Sequence, residues 1–191
     1  MDNEYFWGVW IIKMIYYDTN LFELLTYNTE EYTNIMIQML NDDFYILQDK
    51  TYDMIQLLYS KEILVGYIAS SIINPNSVQI NLVYIIREFR GNNIFVDYLV
   101  RDYIGVYDEV IIDMPNRFTI NALVKNGLAC YVSDDVVETN VLLSYTDECG
   151  ELVVSNKYNI VKCGVVDTNN STGLSPLQDI DVRFFHADCF R

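Results

Sequence analysis

The segment Val78–Ile104, VQINLVYIIREFRGNNIFVDYLVRDYI, predicts a strand, a tight polar turn and a helix in direct succession. Apolar residues recur at every second position from Val78 to Ile86, which places them on one face of a strand. The turn 87–93 is polar, and 94–104 is an apolar segment of helix length. This order aims several backbone N–H groups at the positive end of a helix dipole, so the segment predicts a phosphate or pyrophosphate site.

The residues Leu82–Gly91, LVYIIREFRG, resemble the strand and turn that introduce the acetyl-CoA pyrophosphate loop of the GNAT N-acetyltransferase superfamily. The family's turn has the pattern Arg/Gln-x-x-Gly-x-Gly/Ala, and Arg90 and Gly91 match its common Arg-Gly opening. Asn93 stands where the first required Gly belongs, and Phe95 stands where Gly or Ala belongs. The resemblance implies acetyl-CoA as cofactor, held by Ile85, Ile86, Arg90, Gly91, Asn92, Asn93, Ile94, Phe95 and Asn116.

The two departures from the family's loop differ in their expected effect on ligand binding. Asn is the non-Gly residue that best tolerates a left-handed backbone, so Asn93 is expected to replace Gly at little cost. The benzyl group of Phe95 would crowd a pyrophosphate on the first helical turn unless it rotates into the core. The alternative is an ordinary strand–turn–helix unit that binds no ligand.

The other elements up to about residue 146 follow the order expected of a GNAT domain. Leu64–Tyr67 is similar to the Val-Gly-Phe segment of the family's third strand, and Asn20 and Asn28 each precede a Glu by three residues, a capping-box pattern. We therefore expect an α/β (α+β) fold in which helices flank a mixed central sheet. The predicted strands are 5–17, 54–60, 63–72, 78–86, 109–114, 130–136 and 140–145, and the predicted helices are 20–26, 28–40, 94–104 and 115–127.

No catalytic residue is assigned from the sequence. The family's later motif is Asn-x-x-Ala-x-x-Leu-Tyr-x-Lys-x-Gly-Phe, in which the Tyr often protonates the departing CoA thiolate. Asn116 and Lys125 match this motif, but Leu123 replaces the Tyr and cannot donate a proton. Tyr131 is an alternative acid, and the central strand offers no obvious carboxylate base, so a base acting through water, or no base, stays open.

Residues 147–191 extend beyond the GNAT element order, so we divide the chain into a GNAT-like domain, 1–146, and a C-terminal extension, 147–191. The extension predicts an added β-hairpin, 151–155 and 158–166, turning at Asn156-Lys157. A polar loop follows at 167–176. The apolar end, 182–190, is expected to dock on the domain or on a partner.

The chain is strongly acidic, with a net charge of −15, which disfavours nucleic acid and anionic membranes as direct partners. The charge leaves open a basic protein partner, a small amine or protein amino group as substrate, mimicry of nucleic acid, or simple solubility. Half of the residues are hydrophobic (51%), which predicts a folded protein with a sizeable core.

The spacing of metal-binding residue types predicts no metal site. Cys130, Cys149, Cys163 and Cys189 lie far apart and His186 is the single histidine, so we expect reduced thiols in a cytoplasmic protein. The acidic N-terminus lacks the basic start of a secretory signal, and the apolar run 5–17 is too short to span a bilayer. The abundance of Ile, Asn, Tyr, Asp and Lys is typical of AT-rich genes, which suggests a phage source and a location in the host cytoplasm or virion.

Two functions follow from these observations. The first is a GNAT-like N-acetyltransferase that moves an acyl group from acyl-CoA to an amine. The second is a catalytically inactive GNAT-fold protein that acts in binding or structure through its acidic surface and C-terminal extension, alone or as a homo-oligomer or assembly. The substitutions at Asn93, Phe95 and Leu123 favour the second function, and the element order favours the first.

Overall fold

A computed structural model describes residues 14–27, 30–42, 44 and 46–160, and these form one mixed eight-stranded sheet with helices packed against it. The strand order is β1-β2-β3-β4-β5-β7-β6, and β8 pairs with β7. The strands are β1 (Ile15–Asn20), β2 (Thr51–Ser60), β3 (Ile63–Asn74), β4 (Ser77–Ile85), β5 (Glu109–Asp113), β6 (Ala129–Ser133), β7 (Val136–Thr146) and β8 (Leu152–Asn159). The mixed α and β architecture expected from the sequence is confirmed.

The helices fill the connections between strands. They are α1 (Leu21–Thr26), α2 (Glu30–Asn41), α3 (Ile94–Tyr98) and α4 (Arg117–Lys125), with a short 3₁₀ turn at Arg87–Phe89 and a π-helical segment at Leu99–Ile104. Within the described part of the chain, no helix has both the length and the apolar character needed to cross a membrane.

Strand direction divides the sheet into two parts. Strands β1 to β4 form an antiparallel meander, whereas β4, β5 and β7 run parallel to one another. Parallel neighbours require crossover connections, and the chain from α3 to the π-helical segment supplies the one between β4 and β5. Strand β7 pairs with β8 along one side and with β6 and then β5 along the other.

The centre of the sheet is buried on both faces, which explains the nearly continuous apolar run of the central strand. Tyr67 and Tyr84 lie opposite each other on β3 and β4, and their stacked rings are fully buried. Tyr103 is fully buried as well, and its hydroxyl lies 3.2 Å from Ser70 Oγ. Burial is the main cause of the raised pKa of the Tyr103 hydroxyl.

Two helix starts carry the side-chain caps that their sequences favour. The Asn20 carboxamide oxygen accepts a hydrogen bond from the Glu23 N–H (3.0 Å), which confirms the predicted start of α1. Asn116 Oδ1 accepts from the Thr119 N–H (2.8 Å) at the start of α4. The predicted cap at residue 28 and the predicted first strand up to residue 13 lie outside the described residues.

The predicted hairpin turn at Asn156-Lys157 is wrong. These two residues lie inside the single strand β8, where Lys157 pairs with Glu138 of β7. The error has a physical reason: both side chains are exposed, so a polar pair that suggested a turn instead faces solvent from a strand. Strand β7 also starts at Val136 and not at residue 140, and its longer edge provides partners for both ends of β8.

The boundary placed after residue 146 stays a prediction. Strand β8 follows that boundary by a short connection, and it joins the same sheet as the preceding strands. The second arm of the predicted hairpin, beyond residue 160, lies outside the described part of the chain, as do the predicted loop and the apolar end.

Gly66 provides a test of how closely β3 and β4 approach. It lies opposite Ile85, and a Cβ added to it would stand 2.0 Å from the Tyr84 carbonyl oxygen, which is fixed in the backbone. We expect Gly66→Ala to lower the free energy of unfolding by about 3 kcal/mol, because the two central strands must separate to admit a methyl group. Urea denaturation measures this loss.

Gly105→Ala is the matched control, since a Cβ there would lie 3.5 Å from its nearest neighbours, an ordinary contact. Similar unfolding midpoints for the two variants would contradict the close approach of the strands.

Candidate functional site

The candidate site begins where two parallel strands separate. The pairing of β4 with β5 is limited to Ser77–Ile80 of β4 and Glu109–Ile112 of β5. Beyond this point β4 continues to Ile85, whereas β5 ends at Asp113 and the chain turns towards α4. The loop after β4 therefore lies at the carboxyl end of the central strand, where sheets of this kind often bind ligands.

The loop between β4 and α3 contains two left-handed residues. Gly91 has φ of 82° and Asn93 has φ of 60°, so Asn93 adopts the conformation for which the sequence favoured Gly or Asn. The Asn93 carboxamide oxygen also lies 3.3 Å from Asn126 Nδ2, just past the end of α4. The Asn93 side chain therefore connects the start of one helix to the end of another, which a Gly would not do.

The first backbone N–H groups of α3 have no hydrogen-bond acceptor within the helix. The first hydrogen bond of this helix runs from the Asp97 N–H to the Asn93 carbonyl (2.9 Å). The N–H groups of Ile94 and Val96 precede that pattern, so the helix itself does not use them. Such groups favour an anion at the helix start.

An open cleft of about 570 Å³ lies beside this loop, between α3 and α4. Its volume is in the range of small-molecule sites. Most of its wall is apolar, and the charged side chains in the wall are those of Arg87, Arg90 and Lys125. In a chain with a net charge of −15, a described lining with three cations and no carboxylate favours an anion over a cation, although Arg87 and Arg90 share the charge of Asp42.

Asp42, just beyond the end of α2, fixes the loop that forms one wall of the cleft. Its carboxylate accepts hydrogen bonds from Arg87 Nη2 (2.8 Å), from Arg90 Nη2 and from the Tyr84 hydroxyl (3.0 Å). The Asp42 side chain is 7% exposed, so its contacts with Arg90 and Tyr84 are largely shielded from water. We call Asp42, Tyr84, Arg87 and Arg90 the Asp42 cluster. Burial, and next the hydrogen bond to Asp42, raise the pKa of Tyr84, which therefore remains a donor.

Arg90 is held by several contacts at once. Its Nε donates to the Ile85 carbonyl (2.7 Å), and its guanidinium lies over the Tyr84 ring, 5.5 Å from the centroid. Arg90 Nη1 is buried and has no acceptor among the described residues. Arg90 thus satisfies the Ile85 carbonyl at the end of β4, and its Nη1 is a buried donor without an acceptor in the described part of the chain.

Phe95 turns into the core and not into the loop. The residue is 2% exposed and belongs to the main hydrophobic cluster, so its ring does not obstruct the loop between β4 and α3. Phe95 lines the cleft and also lines a second, much smaller cavity of about 10 Å³ at the point where β4 and β5 separate. That space is close to the size of one water molecule.

The residues predicted to bind the cofactor divide into two groups. Six of them line the cleft: Ile85, Arg90, Gly91, Asn93, Ile94 and Phe95. The other three are absent from the cleft wall as described. Ile86 donates its N–H to the Val65 carbonyl (2.9 Å), Asn92 is exposed, and Asn116 caps α4.

The sequence reasoning missed the α4 wall of the cleft. Phe118, Asn121, Ala122 and Lys125 occur at i, i+3, i+4 and i+7, which is one face of a helix. This spacing is present in the sequence, whereas the buried face of α4 carries Ile120 and Leu123. Arg87, Phe89 and Val96 also line the cleft and were not predicted.

The cleft supplies few groups for proton transfer. Leu123, where the related motif has a Tyr, is fully buried. The hydroxyl of Tyr131 on β6 is exposed and lies 3.4 Å from the carboxamide oxygen of Asn121, a cleft residue. Among the described residues of the wall there is neither a carboxylate nor a histidine.

Asp42→Ala tests whether the Asp42 cluster holds the loop. The substitution leaves the Arg90 guanidinium, whose side chain is 13% exposed, without its carboxylate. We expect a loss of about 3 kcal/mol in the free energy of unfolding. Arg87→Ala is the control, because the Arg87 side chain is 69% exposed and should contribute less than about 1 kcal/mol. Equal losses in chemical denaturation would mean that the cluster does not organise the loop.

Asn93 permits a test of the left-handed backbone. Asn93→Ala removes both the tolerance for positive φ and the contact with Asn126, and we expect it to cost about 2 kcal/mol of stability. Asn93→Gly loses the same contact but keeps the backbone conformation, so it should be the more stable of the two variants. Thermal unfolding of the pair measures the difference, and a more stable Ala variant would contradict the assigned conformation.

Comparisons of this chain with protein-family models, with curated proteins and with solved structures find no match. The resemblance to the N-acetyltransferases therefore stays a prediction based on the quoted residues, and the site is defined by its own geometry.

Proposed function

We propose that the cleft binds an acyl-CoA and that the protein is a GNAT-like N-acetyltransferase, which transfers the acyl group to an amine. One observation carries this proposal: in a strongly acidic chain, the charged residues in the described wall of the cleft beside the loop between β4 and α3 are all cationic. An anionic ligand with a sizeable apolar part fits both the charge and the apolar surface of this cleft.

The loop and the start of α3 are the proposed phosphate subsite. The N–H groups of Ile94 and Val96 have no acceptor within α3, and the Arg87 and Lys125 side chains that line the cleft are exposed. Arg87 contributes one hydrogen bond to Asp42 and is otherwise largely in solvent, so it has freedom to reach a phosphate. Lys125 provides a second positive charge from the last turn of α4.

The remaining part of the ligand would lie along the apolar wall. Ile85, Phe89, Ile94, Val96 and Phe118 contribute most of this surface. Burial of aliphatic and aromatic ligand groups on such a surface favours binding in proportion to the area removed from water. A ligand with a diphosphate and a flexible amide-containing arm, as in CoA, combines the two requirements.

Transfer of the acyl group would depend mainly on orientation. A neutral amine attacks a thioester directly, so placing the two groups together supplies a large part of the rate enhancement. Tyr131 is the hydroxyl that we propose as proton donor, through its position next to Asn121. A water molecule would carry the amine proton away, because the described cleft wall contains no carboxylate.

A second function is favoured by the same wall. The buried Leu123 and the lack of a carboxylate in the described lining suit a protein that keeps the fold without the chemistry. Such a protein would act through its acidic surface on a basic partner, or within an assembly such as a phage particle. Binding of acetyl-CoA without transfer to any amine, or no binding at all, would favour this function.

Acetyl-CoA binding is measured by titration calorimetry, with melting-temperature shifts as a second readout. We expect wild-type protein to bind, and Lys125→Glu to weaken affinity about tenfold, because a cation beside the phosphates becomes an anion. Lys157→Glu makes the same charge change at an exposed position of β8 outside the described cleft wall, and should leave affinity unchanged.

The outcomes of this titration are distinct. Equal weakening by both substitutions would indicate a general charge effect and not a site at α4. For transfer, release of free CoA thiol is followed with a panel of small amines and lysine peptides, and Tyr131→Phe should slow it if that hydroxyl is the acid.

A further inference from the structure

Phe95 stands between two spaces of very different size. On one side is the cleft of about 570 Å³ with its cationic wall, and on the other is the cavity of about 10 Å³ between β4 and β5. Residues from both separating strands, including Val83 and Asp113, line the small cavity. Phe95 lines both spaces, whereas its neighbour Ile94 lines only the cleft. The position of the Phe95 ring therefore determines whether the two spaces are continuous.

We infer that Phe95 sets the depth of the cleft and thereby determines which part of a ligand the protein recognises. With the ring in place, the cleft ends before the separation of β4 and β5, so the nucleotide end of a CoA-like ligand is bound and its arm remains outside that separation. This inference rests on the proposed function, because it assigns recognition within the same cleft.

The burial of Phe95 supports this role. The residue is 2% exposed and packs within the main core cluster, so its ring is not free to leave the boundary between the two spaces without repacking. A smaller side chain would join the small cavity to the cleft and open a path towards Asp113, a carboxylate that lines the small cavity.

The size of the effect follows from the apolar area that the path would bury. Each methylene group removed from water contributes about fourfold in affinity. A ligand arm that enters the opened space by two or three such groups should therefore bind at least about tenfold more tightly.

The experiment compares two probes on each variant by titration calorimetry: phosphoadenosine diphosphate, which is the nucleotide end of CoA, and acetyl-CoA. For the wild-type protein we expect acetyl-CoA to bind at most about tenfold more tightly than the nucleotide, because its arm reaches only the open apolar wall of the cleft. For Phe95→Ala we expect acetyl-CoA to gain at least about tenfold while the nucleotide is unchanged. Phe95→Leu keeps more of the core volume, should fold if the Ala variant does not, and should give a smaller gain of the same sign.

Phe118→Ala is the matched control. Phe118 lines the cleft but not the small cavity, and it is 36% exposed, so its loss should not change the ratio of the two affinities in favour of acetyl-CoA. The same gain with Phe118→Ala would overturn the assignment to Phe95.

The remaining outcomes separate this inference from the proposed function. If the nucleotide binds but the wild-type protein already prefers acetyl-CoA by more than about tenfold, or if both Phe95 variants leave the ratio unchanged, the role of Phe95 is overturned and the cleft remains a nucleotide site. If neither probe binds the wild-type protein, the proposed function is overturned, and the inference with it.

Discussion

The separation of β4 from β5 is the constraint on which the rest of the site depends. The two strands share hydrogen bonds only up to Ile80 and Ile112, after which β4 continues alone towards its loop. Backbone groups at such an edge need other partners. Arg90 provides one of them at the Ile85 carbonyl, so the residue that begins the loop also completes the strand. The cleft and the small cavity lie next to this separation, and Phe95 lines both of them.

Much of the fold was predictable because local signals and burial agree. Strand β4, the turn at residues 87–93 and the caps at Asn20 and Asn116 each depend on neighbouring residues, and each is found, although β4 is buried on both faces and not on one. The turn at Asn156-Lys157 failed because an exposed polar pair has the same composition in a turn and on the solvent face of an edge strand. Only the pairing with distant β7 distinguishes the two, and a local pattern does not contain that pairing.

The site was predictable in part for a similar reason. Gly91 and Asn93 are residue types that favour or tolerate positive φ, so they indicate a left-handed backbone in this loop. The α4 wall depends on how a second helix packs beside the loop, and the role of Asp42 depends on residues more than 40 positions apart in the chain. Phe95 shows the limit most clearly, because its residue type suggested obstruction, whereas its burial places the ring behind the cleft surface.

The Asp42 cluster has a consequence for the energetics of any ligand that enters the cleft. Three donors from β4 and the following turn meet one shielded carboxylate, so folding itself orders this loop before a ligand arrives. The conformational entropy of the loop is then lost in folding and is not subtracted from the binding free energy. Affinity at this cleft should accordingly depend on how well the loop is ordered before the ligand binds. Slow dissociation of the bound ligand would be the kinetic sign of this preorganisation.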